Sequence, residues 1–222
     1  MDDTPPPPSS TRAAGRGLLR LGLLALVIFG SRSVIADWNY VPSGSMRPTI
    51  LPGDAVFVNR MAYDIRVPFT RINLWHRGDP ARGDIVILLS PADGQRLVKR
   101  VAGLPGDVIA ARDGVLYVNG KPLDYVPAGG GQAAVFLEQL GDHRHPVMWS
   151  RLPRRAGGFF PRRVPAGHYF VLGDHRDNSA DSRYFGFVPR ELVLGRAVAV
   201  IASFDLEHAG APRWDRFFTR LP

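Results

Sequence analysis

The chain has 222 residues, 45% hydrophobic and 22% charged, enough apolar material for one ordinary domain with an appendage and too much for wholesale disorder. Gly 24 and Pro 20 argue against a helical bundle, and the absence of cysteine excludes disulfides, thiolate zinc sites and a cysteine nucleophile. The excess of 28 basic over 20 acidic residues, +8 in all, is spread along the chain with no basic stripe interleaved with aromatics, which argues against nucleic acid as a partner.

Residues 1–16 carry four consecutive prolines, Pro5 to Pro8, and no apolar period, so they read as a disordered tail. Residues 17–36 turn apolar, with an unbroken core from Leu21 to Gly30. That core is too short to cross a bilayer, which needs about 20 residues. Extension to Gly17 and Ala36 reaches the length but admits Arg20 and Arg32 near the ends, where long side chains snorkel to the headgroups. Two readings stand. One is a cleavable signal peptide cut after Val34-Ile35-Ala36; the other is a retained anchor with Trp38 and Tyr40 at the interface. In both, Arg12, Arg16 and Arg20 hold the N-terminus inside, and everything after Ala36 lies outside the cytoplasm.

Next comes Val41-Pro42-Ser43-Gly44-Ser45-Met46-Arg47-Pro48-Thr49, kept near the bilayer surface by chain reach. Two serines around a glycine, bracketed by prolines, make a stiff turn that can aim hydroxyls and backbone N–H groups one way. An acyl-transfer enzyme needs that of its nucleophile and oxyanion donors. The same composition is also ordinary loop.

The body, 41–204, has short β-branched runs at 55–58, 85–89, 97–101, 115–118, 169–172 and 197–201. Gly-Asp pairs at Gly53, Gly83 and Gly106 lead into such runs, and Asn119-Gly120 after Val118 signals a hairpin. With no long amphipathic helical period, the fold class reads as all-β.

Within 96–101, strand alternation puts Leu97, Lys99 and Val101 on one face and Arg96, Val98 and Arg100 on the other. Lys99 is thus expected to share the apolar face while its charged neighbours point away. Burial strips hydration from the charged amine; lowering its pKa from about 10.4 to roughly 8 takes about 3 kcal/mol. Arginine does not release its proton and cannot do this. The chain has only two lysines, Lys99 and Lys121, among its 28 basic residues. The competing reading is a strand-edge lysine snorkelling to water.

Residues 109–165 hold the run Gly129-Gly130-Gly131, a polar middle and the pairs Arg154-Arg155 and Arg162-Arg163, and read as an insertion standing on the core. In it, His143 and His145 read as solvated residues of a flexible region rather than a metal site. The stretch from Gly173 to Gly186 is dense in mutually bonding groups. Its aspartates lack the alternation and central glycine of an EF-hand loop. His175 beside Asp174 suggests a triad, which is a matter of placement in space; a polar loop that holds itself together is the competing reading. In the tail, 206–222, a helical period puts Trp214, Phe217, Phe218 and Leu221 on one face. That suits a short helix in a membrane interface, or a tail docked on its own domain.

Taken together and in this order, these segments resemble the bacterial type I signal peptidases, membrane-bound serine–lysine endopeptidases. The resemblance rests on Pro42-Ser43-Gly44-Ser45-Met46 with Pro48-Thr49, Gly83-Asp84-Ile85-Val86, Lys99-Arg100 with Gly103-Leu104-Pro105-Gly106-Asp107, and residues 173–189. It covers roughly 17–108 and 166–205. It implies a mostly antiparallel β catalytic core over 37–108 and 166–205, with 109–165 as an inserted β cap. It also implies a retained transmembrane helix over 17–36, with the N-terminus cytoplasmic and the catalytic domain on the periplasmic side of the bacterial inner membrane. By position, Ser45 becomes the nucleophile and Lys99 the general base, with Ser45 N–H and the Ser43 hydroxyl as the oxyanion hole. Ser179 would orient the lysine amine, Asp181 and Arg183 would brace the site, and Asp174 and His175 become structural.

Small side chains at the first and third positions before the cut would fill shallow pockets, with Val41, Pro42, Met46 and Ile50 as candidates for the first. No cofactor and no metal are implied; the partners are preprotein signal peptides and the phospholipid bilayer. His175 departs from the family, where asparagine is usual. A conjugative-pilus maturation peptidase would use the same pair on one dedicated substrate, but intact motifs through Pro189 favour the general enzyme. The apolar segment and the lack of a DNA-binding element disfavour a self-cleaving repressor. An anchored, non-catalytic β module would tolerate Ser45→Ala and Lys99→Ala.

Overall fold

The structure, a computed structural model, describes residues 36–66, 73–130, 133–150, 158–206 and 208–222. The expected tail at 1–16 and all but the last residue of the expected anchor at 17–36 lie outside these. Among the described residues no helix is long and apolar enough to cross a membrane.

The chain opens with β1 (Ala36–Tyr40), β2 (Asp54–Asn59), the finger β3 (Asp64–Arg66) and β4 (Asn73–His76), then β5 (Ile85–Leu89) and β6 (Arg96–Gly103). Next come β7 (Val108–Arg112), β8 (Val115–Val118), β9 (Lys121–Pro122), β10 (Asp124–Gly130), β11 (Ala134–Leu140), β12 (His143–Trp149) and β13 (Phe159–Arg163). It closes with β14 (His168–Leu172), the one-turn helix α1 (Ser182–Phe185), β15 (Val188–Pro189), the long β16 (Val193–Asp205), β17 (Ala211–Pro212) and β18 (Thr219–Arg220). All strand pairings are antiparallel, and the main sheet runs β1-β2-β16-β5-β6-β14-β15, with β17 and β18 also on β16.

Both faces of this sheet are covered, which is why β5 is apolar at every position. Ile85 and Ile87 enter one cluster with Met46, Ile50, Val56 and Val58, while Val86 and Leu88 enter another with Tyr63, Val101, Tyr169 and Val171. Gly53, Gly83 and Gly106 take φ of 92°, 91° and 90° just before strands or extended runs, a region that disfavours any Cβ. Asn119 and Gly120, at φ of 53° and 79°, turn β8 into β9 as the dipeptide predicts.

Strands β7 to β13 form two sheets apart from the main one, β13-β7-β8-β9 and β10-β11-β12. Val108 pairs with Arg163, so the segment leaves and returns at one place. Ile109, Leu116, Leu140 and Val164 pack there against Ala102, Phe170 and Leu172. The segment is more regular than its composition suggests: Gly129 and Gly130 lie inside β10, and His143 and His145 inside β12.

The tail departs from its helical period. Only Trp214–Arg216 winds, as a single 3-10 turn, and Thr219–Arg220 pairs with Ala199 and Val200 of β16. Its arginines explain this: Arg216 donates to Asp54 at 2.6 Å and to the Thr49 carbonyl at 3.0 Å, and Arg213 to the Pro52 carbonyl at 3.0 Å. Tied at those points, the tail docks on its own domain, leaving Trp214 and Phe218 exposed.

Candidate active site

The segment between β1 and β2 is a compact loop closed at its neck, where Val41 N–H donates to Asp54 O and Gly53 N–H to Val41 O, both at 2.9 Å. Inside it, Arg47 N–H reaches Gly44 O at 3.1 Å and Ile50 N–H reaches Met46 O at 2.9 Å. The fully buried Met46 and Ile50 anchor the winding and leave Ser43, Gly44 and Ser45 at the rim.

The β6 alternation brings Lys99 to that rim from inside. Lys99 is 2% exposed, and its Nζ donates to Ser45 Oγ at 2.8 Å and to Val98 O at 3.0 Å. Burial pushes its pKa down from 10.5 to about 8, against the opposing pull of Asp181 and Asp174. A tenth or so of the amine is then neutral at pH 7, with a lone pair to accept a proton. Ser43 Oγ lies 3.5 Å from Ser45 Oγ, and Ser45 N–H has no hydrogen-bond acceptor among the described residues.

The stretch after β14 packs against this corner. Asp181, fully buried, accepts from Gly173 N–H at 3.0 Å and takes both Arg183 Nε and Nη2, at 2.8 and 2.7 Å. Gly173 is close to Ser179 and to Ser45: a Cβ there would meet Ser179 Oγ and lie 2.5 Å from Ser45 O. Ser179 Oγ is buried without a hydrogen-bond partner, so the expected bond to Lys99 is not formed although the hydroxyl stands at the site.

A second cluster lies directly behind. Asp174 accepts from Arg100 Nε and Nη2 at 2.9 and 2.8 Å and from Thr49 Oγ1 at 2.5 Å. Arg176 holds Glu138 through two contacts of 2.6 Å. His145 Nε2 sits 3.4 Å from Glu138 and 3.8 Å from Asp174. Burial raises both carboxyls, but the guanidiniums outweigh it: Arg100 holds Asp174 below its ordinary value and Arg176 does so for Glu138. Burial pushes the His145 ring below its ordinary value, against the opposing pull of Glu138 and Asp174.

Arg100 points away from Lys99 as alternation predicts, and it is 1% exposed because Asp174 waits on that face. One expectation needs correction. His145 is fully buried rather than solvated, because β12 turns it toward Glu138 and Asp174. Of the four pocket candidates, Val41, Met46 and Ile50 are core residues with almost no exposure, and only Pro42 is exposed. A groove of about 600 Å³ lies elsewhere, on β7, β8 and β13, lined by Val108, Tyr117, Phe159 and Phe160.

His175 takes no part in a triad with Ser45. Its ring meets Gly44 O at 3.2 Å and Ser150 Oγ at 2.6 Å, and neither contact is to Ser45 Oγ. The sequence reading missed Gly173, Arg100, Glu138 and Arg176. Glu138 was findable, since alternation puts it on the face of β11 that holds the buried Leu140.

Comparison with known proteins identifies relatives of the chain as a whole. A family model described as signal peptidase, peptidase S26, matches residues 16–202. Signal peptidase I of Pseudomonas fluorescens is 38% identical over 207 residues, covering 86% of this chain and 72% of that protein. Signal peptidase I of Pseudomonas aeruginosa is 34% identical over 220 residues, covering 91% and 76%. A crystal structure of a signal peptidase I from Enterococcus faecalis V583 is 34% identical, with a TM-score of 0.36, covering 53% of this chain and 96% of that one.

Proposed function

The chain belongs to the signal peptidase family, peptidase S26, and is a serine protease, a hydrolase; from that premise we propose that it removes signal peptides from exported preproteins by a Ser45/Lys99 acyl-enzyme mechanism. The observation that carries the proposal is the 2.8 Å approach of Lys99 Nζ to Ser45 Oγ at a position 2% exposed. An amine so desolvated is a base near neutral pH, and the hydroxyl beside it is the only group its lone pair needs to reach.

In the first half-reaction, neutral Lys99 takes the Ser45 hydroxyl proton as Oγ bonds to the scissile carbonyl carbon. The displaced electron pair moves to the carbonyl oxygen, which Ser43 Oγ–H and Ser45 N–H receive. Collapse breaks the C–N bond, and the Lys99 ammonium gives its proton to the leaving amine. Water then attacks the Ser45 ester, Lys99 takes its proton, and return of that proton to Oγ releases the new carboxyl end. The Asp181–Arg183 pair keeps Gly173 in place beside Ser45; the Gly173–Asp181 bond at 3.0 Å supports this role.

Past the Leu172–Arg100 pair, β14 leaves β6, so residues 96–99 keep an edge with no strand beside it among the described residues. An extended peptide added there would pass Lys99 and Ser45, with small side chains facing the rim beside Pro42. The same reading keeps 17–36 as a single-pass anchor in the bacterial inner membrane, N-terminus cytoplasmic, with the catalytic body on the periplasmic side against the phospholipid surface. The exposed aromatics Trp38, Tyr40, Trp214 and Phe218 suit that surface.

The test is preprotein cleavage in detergent micelles by wild type and Lys99→Arg, with thermal melts of both. Arginine keeps charge and approximate length but does not give up its proton, so it has no free lone pair to act as a base. A loss on the order of 10³-fold at unchanged melting temperature is expected; cleavage at the wild-type rate overturns the Ser/Lys assignment.

A further inference from the structure

We propose that His175 is a positioning residue for the oxyanion donor, its ring holding the carbonyl of the Gly44–Ser45 peptide so that the N–H of the same peptide faces the scissile carbonyl. The inference rests on the reading of Ser45 N–H as that donor. A peptide unit is planar, so fixing the direction of its C=O fixes its N–H on the opposite side. In this unit the carbonyl is bonded and the N–H is open. His175 Nδ1 lies 3.2 Å from Gly44 O, and Ser45 N–H has no acceptor among the described residues.

The contact also places one ring hydrogen. A carbonyl oxygen only accepts, so Nδ1 carries a hydrogen, while Nε2 lies 2.6 Å from Ser150 Oγ. Asp177 Oδ1, 3.3 Å from Nε2, closes the far side of the ring and also accepts from Ser150 N–H at 2.9 Å. The ring is thus gripped at both nitrogens.

The backbone of the same residue acts too: His175 N–H donates to Ser45 O at 3.1 Å. One residue therefore holds the carbonyls on both sides of the Ser45 Cα. Arg47 N–H also donates to Gly44 O, at 3.1 Å, but Arg47 belongs to the same loop and moves with it. His175 instead ties the loop to β12. Met148 N–H donates to Asp174 O and Arg176 N–H to Met148 O, both at 2.9 Å, so residues 174–176 run beside that strand. The inserted sheet thereby reaches the peptide that aims Ser45 N–H.

The two ring nitrogens can be tested separately, because an asparagine amide overlays Nδ1 and a glutamine amide overlays Nε2. His175→Asn, His175→Gln and His175→Leu are compared with wild type and Ser45→Ala for kcat and KM on a preprotein, with a melting temperature for each. Positioning predicts that His175→Asn keeps kcat within about threefold. His175→Gln and His175→Leu lose on the order of ten- to a hundredfold, somewhat less than removal of an oxyanion donor outright, with KM nearly unchanged.

Equal loss in all three variants, no loss in any, or a loss in KM alone or one that follows melting temperature overturns the proposal. Cleavage that survives Ser45→Ala means that the reading of Ser45 itself has failed. An inactive Ser45→Ala beside fully active Gln and Leu variants overturns the role of His175 alone.

Discussion

Lys99 and Arg100 are consecutive residues of β6, both cations and both withdrawn from water at 2% and 1% exposure, yet they meet opposite surroundings. Lys99 faces a hydroxyl and a carbonyl and has no carboxylate within ion-pair distance among the described residues. Arg100 faces Asp174 in a two-point contact and also holds the Gly83 carbonyl at 2.8 Å. The same burial gives a base in one case and a strut in the other. Burial by itself does not set a group's chemistry; what decides is whether a counter-charge was buried with it.

The comparison can be broken from the Arg100 side first. Arg100→Met leaves the Asp174 carboxylate buried beside Thr49 and His145 without its cation, and should cost about 3–5 kcal/mol in a denaturant melt. Arg100→Met with Asp174→Leu removes both charges and should recover most of that loss. A double variant as unstable as the single one would show that packing, not charge pairing, holds this corner.

Lys99→Met should move stability the other way. A folded pKa of about 8 against an ordinary 10.5 means that the folded protein binds this proton less readily than the unfolded chain. The penalty is complete below about pH 8 and fades as pH rises toward 10.5. The variant should therefore be more stable than wild type at pH 7, by up to about 3 kcal/mol. The gap should close between pH 8 and 10.5, and a gap that ignores pH would mean the amine is not desolvated.

The smallest effect is on rate. The neutral fraction of an amine with pKa about 8 rises about tenfold between pH 7 and 9, so kcat/KM should climb by that factor with a midpoint near 8. A flat profile over that range would assign the proton transfer elsewhere.

Much of this corner was legible in the residues. Short β-branched runs marked the strands at 85–89 and 115–118, with Gly83-Asp84 before the first and Asn119-Gly120 after the second, and alternation placed Lys99 inside. The same rule put Arg100 on the opposite face but left its partner unseen, because it says which face a side chain takes and not what covers that face. His145 was missed for another reason: a polar, glycine-flanked stretch hid a strand whose inner face meets Glu138 and Asp174. The tail shows the converse, a good helical period overruled by Arg216 on Asp54.

By itself, then, the sequence determined what depends on near neighbours along the chain: strand runs, the Asn119-Gly120 hairpin, and the inward turn of Lys99. Only the tertiary structure decided which buried charge has a partner, since Lys99 meets Ser45 across 54 residues and Arg100 meets Asp174 across 74. Such partnerships require distant loops to close on one point, and the desolvation they relieve or leave standing exists only once those loops have closed.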